Sequence, residues 1–302
     1  MEPQALWLSA DKQALLSGLI QKSNAHYIDL ETVLEWPKGV DRTAPPKRED
    51  HCWIYGTPHW ERLSATQRLE LLWQENARDA SMFIWLEETL PTLFIGYLHQ
   101  HGKALSEDIH DYMMIFAKEE IVHTLMFRRY MKSARLGLFG PPDGLQDLFV
   151  KMLPQQHPIA GVLCTFLVEN VAEEAAMQGS DGPGVDDLTR KLYKAHHAEE
   201  ARHLAFGRWI CEEFLQKAPA EVKEKLGLLA RSFMSRLVAQ FTYNTEISSH
   251  LDFDTGISPA DAGEVDRVRR SPNNRRINHE RYDEMLDWMK RMGLAAADYD
   301  WF

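Results

Sequence analysis

Apolar residues recur along most of the chain at spacings of three and four, the period of α-helices that bury one face. No segment shows the strict alternation of a strand. The first long helical pattern opens at Ser64-Ala65-Thr66-Gln67, a Ser-x-x-Gln capping box, and continues to about residue 99. Phe83, Leu90, Phe94 and Tyr97 form its stripe, with Glu87 in the middle. Pro91 removes the bond to the Glu87 carbonyl and predicts a kink there. A second helix opens at Ser106, with Glu107 and Asp108 favouring its dipole, and buries Ile109, Met113, Phe116, Glu120, His123 and Phe127. The stretch 136–144, containing Gly140-Pro141-Pro142, ends it. A third follows Pro158, with the stripe Val162, Phe166, Glu169, Glu173 and Met177. After a glycine-rich loop at 179–184, a fourth begins near Asp186 or Asp187 and runs to about 216, with Leu192, His196, Glu200, His203 and Phe206 on one face.

The ends are less regular. A helical pattern covers 10–20, after which Pro37, Pro45-Pro46 and Gly56-Thr57-Pro58 interrupt any long element. This segment reads as an arm held on the core by Trp36, Trp53, Tyr55 and Trp60. Two more helices are expected at about 220–245 and 281–292. Turns at Ser258-Pro259 and Ser271-Pro272-Asn273-Asn274 lie between them, with room for a short helix. The expected architecture is one all-α domain over 1–302. It has a four-helix bundle core at about 64–216, extra N- and C-terminal helices, and an irregular N-terminal arm.

The polar residues on the apolar stripes carry the chemistry. Glu119-Glu120-Ile121-Val122-His123 and Glu199-Glu200-Ala201-Arg202-His203 are two copies of Glu-Glu-x-x-His. On a helix, a Glu and a His three apart stand on one face. Two Glu-x-x-His pairs plus one Glu from each of two further helices form the inward-pointing ligand set of a dinuclear carboxylate bundle. Glu87 precedes Glu120 by 33 positions and Glu169 precedes Glu200 by 31, so the order of ligand helices repeats with approximate two-fold symmetry. Glu88 competes with Glu87, which sits on the stronger apolar stripe, and Glu173 competes with Glu169 one turn away on the same face, with Glu169 favoured. His196 lies four before Glu200 and adds a third histidine to that face, while His197 is rotated about 100° away. The candidate metal ligands are therefore Glu87, Glu120, His123, Glu169, His196, Glu200 and His203. Carboxylates bridge and neutralise metals that cycle between +2 and +3, and imidazole suits iron. Glu119 and Glu199, four before His123 and His203, are candidates to orient those histidines; a solvated face is the alternative reading.

Composition narrows the class. A hydrophobic fraction of 44 % is that of an ordinary globular protein. A formal charge of −11 argues against a nucleic-acid surface. Cys52, Cys164 and Cys211 are scattered and odd in number, as expected of reduced thiols in the cytoplasm. The N-terminus lacks a signal-peptide pattern, and the longest apolar run, 161–168, is too short to span a bilayer.

Four segments resemble the p-aminobenzoate N-oxygenase (AurF-like) di-iron oxygenases of the ferritin-like superfamily. They are Tyr55-Gly56-Thr57-Pro58-His59-Trp60-Glu61-Arg62-Leu63-Ser64, Ile84-Trp85-Leu86-Glu87, Glu120-Ile121-Val122-His123-Thr124-Leu125-Met126-Phe127, and His196-His197-Ala198-Glu199-Glu200-Ala201-Arg202-His203. The likeness covers about 53–209. The third histidine is a distinguishing feature of that family, which supports His196, and Leu167-Val168-Glu169 fits its third carboxylate better than Glu173 does. Ile121-Val122 departs from the family, which often has a more polar, Arg-containing pair there. The resemblance implies O2 activation at two iron ions; the residues themselves equally admit a manganese–iron or dimanganese pair. The resemblance also implies oxidation of a small organic substrate, with N-oxygenation of an arylamine the leading reading, supplied by an external electron donor; a homodimer is left open. Alternatives are C–H hydroxylation or desaturation, or ferritin-like iron handling. A radical-generating subunit needs a tyrosine about one turn beyond the first carboxylate, where Pro91 stands.

Overall fold

The computed structural model describes residues 6–141 and 144–300, and among these the regular structure is helical, with a single isolated bridge between Leu6 and Leu105. In chain order the helices are α1 (Ala10–Ala25), α2 (Pro58–Glu61), α3 (Ala65–His101), α4 (Glu107–Ala134), α5 (Pro158–Ser180), α6 (Asp187–Lys217), α7 (Ala220–Thr242), α8 (Ala262–Arg269) and α9 (Pro272–Arg291). Helices α3 and α4 pack as one hairpin and α5 and α6 as another. The hairpins meet through α3 on α5 and α4 on α6. This is a ferritin-like four-helix core. Helix α1 lies against α4 and α6, while α7 and α9 cover α5.

Local signals account for the helix ends. Ser64 accepts from the Gln67 N–H and the Gln67 side chain accepts from the Ser64 N–H, closing the capping box. Helix α3 continues through Pro91 to His101, so the proline does not break it. Asp186 caps α6 through the Thr189 N–H and hydroxyl. Helix α4 ends at Ala134 with Arg135 in the left-handed region, before the Gly140-Pro141-Pro142 break, of which Pro142 lies outside the described residues. The expected C-terminal helix begins nine residues earlier than the sequence pattern indicated. Ser271-Pro272 is a cap and first helical position rather than a turn, and Ser271 Oγ accepts from the Asn274 N–H at 3.3 Å.

The arm is held as expected by indoles: Trp36, Trp53 and Trp60 are buried, and Tyr55 is half-buried against Trp60. Trp53 and Trp60 belong to a small second core with Leu71, Ile247 and Val265. The three cysteines are buried free thiols. Among the described residues no helix is long and apolar enough to cross a membrane.

Candidate metal centre

The four core helices bring Glu87, Glu120, His123, Glu169, His196, Glu200 and His203 into the middle of the bundle, where each is no more than 7 % exposed. Helical periodicity does the local work. The Glu-x-x-His spacing places both side chains of each motif on the apolar stripe, and the surrounding leucines and aromatics bury that stripe. Glu88 points outward instead and reaches Arg128 at 3.4 Å, which removes it from the cluster.

Two groups of donors lie close enough to share an ion. Glu120, His123, Glu200 and His203 form one, and Glu87, His123 and His196 the other. Glu200 faces both halves: Oε1 lies 3.0 Å from His123 Nδ1 and 3.3 Å from His196 Nε2, and Oε2 lies 3.2 Å from His203 Nδ1. Glu120 Oε1 is 3.0 Å from His203 Nδ1 and 3.7 Å from His123 Nδ1. Glu169 belongs to neither group, yet it is buried with both oxygens unpartnered, close enough to Glu200 and Glu120 for their charges to act on it. Glu87 Oε2 likewise has no partner, and Glu120 Oε1 and His123 Nδ1 have only the close ionic contacts just given, without hydrogen-bond alignment. Buried carboxylate oxygens and imidazole nitrogens without partners are costly, and a cation among them relieves that cost.

Each of the three histidines is held from behind by a carboxylate. Glu199 Oε2 lies 2.8 Å from His123 Nε2, Glu119 Oε2 lies 2.9 Å from His203 Nε2, and Glu173 Oε1 lies 2.6 Å from His196 Nδ1. That leaves Nδ1 of His123 and His203, and Nε2 of His196, turned toward the central carboxylates. Ligating histidines are commonly fixed in this way. The wiring differs from the expectation of pairs within one helix. Glu119 stands four before His123 but serves His203, and Glu199 stands four before His203 but serves His123. The inner face of each helix already holds its own Glu and His, so the neighbouring glutamate reaches across the α4–α6 contact instead. Neither glutamate is solvated: Glu119 is 1 % and Glu199 3 % exposed.

Sequence reasoning missed the group that anchors this crossed pair. Arg202 lies 3.0 Å from Glu119 and 3.3 Å from Glu199 and donates to Ser23 Oγ of α1. The Ile28 backbone N–H donates to Glu199 Oε1 at 2.8 Å. The N-terminal segment therefore helps to hold the site, over sequence separations that no local pattern reports. Glu173 is also resolved: it accepts from His196 and, through Oε2 at 2.9 Å, from His197, so it is a holder of His196 and Glu169 is the unpaired carboxylate. The shared stripe does not separate the two glutamates; the signal that did was the family resemblance of Leu167-Val168-Glu169.

The charges follow from these contacts. Burial pushes Glu87 up to about 8 against the pull of His196. Burial, with Glu200 and Glu120 beside it, pushes Glu169 well above the usual carboxylate range. For Glu200, burial is outweighed by His203 and His196, which hold it well below that range. Burial also opposes charging of His196, but Glu173 and Glu200 raise it to about 10. Without metal, protons on the imidazoles supply the positive charge that the carboxylates require.

Aromatic rings seal the cluster. Phe116 stacks on His203 at 3.7 Å between centroids, and Phe83 and Phe127 lie edge-on to His196 at 5.1 and 5.0 Å. Phe83 also forms part of the wall of a cleft with Tyr193, Asn76, Lys47, Asp79 and Arg281. The sequence family described as p-aminobenzoate N-oxygenase AurF matches the chain over residues 9–293. No curated protein matches it.

Proposed function

The chain belongs to the p-aminobenzoate N-oxygenase AurF family, a family of di-iron oxygenases, and we propose that it uses two iron ions and O2 to oxidise a small organic substrate. The observation that carries this reading is the arrangement of the three histidines. Each has one nitrogen held by an outlying glutamate and the other turned toward four buried carboxylates, several of whose oxygens have no partner. Glu87, His123 and His196 would serve one iron, Glu169 and His203 the other, and Glu120 and Glu200, which face both halves, would serve both. Four carboxylates balance the charge of two divalent ions. Iron bound there supplies the redox chemistry and the binding positions for O2.

The protein's own part is orientation and exclusion. Glu119, Glu173 and Glu199 fix which nitrogen of each imidazole carries the proton. Phe83, Phe116 and Phe127 keep water from the histidines and preserve the low dielectric in which those hydrogen bonds are strong. The cleft beside Phe83 has only about 20 Å³ of accessible space, room for a water rather than a ring, and its Asn76, Asp79 and Arg281 are already paired with Tyr130, Lys47 and His51. N-oxygenation of an arylamine is the finer reading, and it rests on the family alone. An external donor would supply electrons.

Iron analysis after anaerobic loading tests the first step, with about two irons per chain expected; protein that stays iron-free would sink the proposal. His196→Ala should bring the content close to one, and unchanged iron would remove His196 from the ligand set. The reduced protein given 18O2 and an arylamine should then place label on the nitrogen. Label on carbon instead would retain the oxygenase and discard the N-oxygenase.

A further inference from the structure

Away from the metal centre, a cleft at the junction of α7, α8 and α9 gathers hydrogen-bond donors that the chain leaves unmet. Its volume is about 360 Å³, which falls in the range of small-molecule sites. Three arginines line it, Arg269, Arg270 and Arg275, against the single carboxylate of Asp266. This local excess of positive charge stands in a chain whose formal charge is −11.

The donors can be followed one by one. Arg269 lays its guanidinium over the Tyr243 ring at 4.7 Å, and its Nε–H is buried without an acceptor. Asn278 donates to the Tyr243 hydroxyl at 2.9 Å, which leaves that hydroxyl its own proton to give. Arg275 is exposed and its side chain has no ion pair or hydrogen bond among the described residues. Arg270 has only a pair with Asp266 at 3.0 Å, more than half exposed on both sides, which contributes little. The acceptors, by contrast, are taken. Asp266 is met by Arg270, and the Asn278 carbonyl oxygen accepts from Thr242 at 3.4 Å. Solvated surface arginines would account for Arg270 and Arg275. They do not account for Arg269, whose Nε–H is shut off from water at a cost.

We propose that this cleft binds a small organic phosphate, a phosphate monoester of about sugar-phosphate size. A phosphate presents only acceptors to several donors at once, and guanidinium forks match it in pairs. Stacking on Tyr243 holds one fork in place before the ligand arrives, which lowers the entropy lost on binding. Liquid water takes about 30 Å³ per molecule, so the cleft has room for about a dozen heavy atoms, more than a bare phosphate has. Val238 and Ala239 give the organic part an apolar wall.

Isothermal titration of the full-length protein at fixed ionic strength tests this, with ribose 5-phosphate, inorganic phosphate and ribose as probes. Ribose 5-phosphate should bind saturably, more tightly than inorganic phosphate, and ribose should not bind. Arg275→Gln should raise the Kd for ribose 5-phosphate by about tenfold or more, the effect of losing a charge-assisted contact. Arg267→Gln removes an equal charge from α8 but lines no part of the cleft, and salt screening should keep its effect below about twofold. Both positions are exposed, and circular dichroism and iron content report whether each variant is folded. The affinity should be the same with and without iron. Absence of saturable ribose 5-phosphate binding would overturn the proposal, as would inorganic phosphate binding equally tightly. So would an Arg275→Gln variant no weaker than Arg267→Gln, or binding that requires iron, which would put the phosphate on the metals instead.

Discussion

Glu199→Gln tests the crossed wiring most directly. Glu199 spans two donors, the His123 ring at 2.8 Å and the Ile28 N–H at 2.8 Å, and lies 3.3 Å from Arg202. The amide keeps the volume and one acceptor oxygen but removes the charge. His123 then loses the carboxylate that holds a proton on Nε2 and turns Nδ1 toward the cluster. Changes of this kind cost roughly 10- to 100-fold in metal affinity, or about 1.4–2.8 kcal/mol. The loss should fall on the iron that His123 serves, although Glu199 lies on the helix of His203, four positions before it. Glu119→Gln should loosen the other iron, because Glu119 holds His203. Mössbauer spectra of the iron-loaded protein, with His123→Ala and His203→Ala to assign the two signals, read which iron is affected under chelator competition. If Glu199→Gln weakened the same iron as His203→Ala, the crossed wiring would be wrong.

Three further outcomes follow from other parts of the molecule. His51 is held down to about 2 by burial and by Arg281, whose guanidinium donates to its Nδ1. A lowered histidine contributes stability that is present above its ordinary value of 6.5 and is lost as pH falls below it, by about 1.4 kcal/mol for the first full unit; the drop in Tm between pH 7.5 and 5.5 should therefore be smaller in His51→Gln than in wild type, and equal drops would refute it. Gly161 faces Tyr97 so closely that a Cβ would meet the ring and hydroxyl, and that hydroxyl donates to the Leu153 carbonyl at 2.8 Å. Gly161→Ala should cost about 1–3 kcal/mol by overpacking, read as a fall in urea midpoint; an unchanged midpoint would show that Tyr97 moves freely. Iron should stabilise the fold by about 2.7 kcal/mol at a hundredfold excess over its Kd, so removal by a chelator should lower Tm, and identical melting with and without iron would argue against binding in the native state.

Much of the fold was legible because its signals are local. The apolar period of 3.6, the Ser64 capping box and the Pro158 helix start each act within one or two turns, and so does the Glu-x-x-His spacing. The start of α9 is ambiguous for the same local reason: Ser-Pro followed by two asparagines serves equally as a turn or as a helix cap, and only distant partners decide, Asn273 donating to the Asp50 carbonyl and Asn274 to those of Trp53 and Val268.

The sequence by itself determined which side chains lie on the inner stripes and hence that Glu120, His123, Glu200 and His203 would face one another if the helices bundled. Only the tertiary structure decided what those side chains touch. It set Glu173 behind His196 and left Glu169 unpaired, although periodicity puts both on one stripe. It sent Glu119 to His203 and Glu199 to His123, and it brought Ile28 and Ser23 to the far side of that network. Helix geometry dictates the direction of a side chain from its own axis. Its partner depends on how two axes cross, which residues far apart in the chain set together by burying their apolar faces.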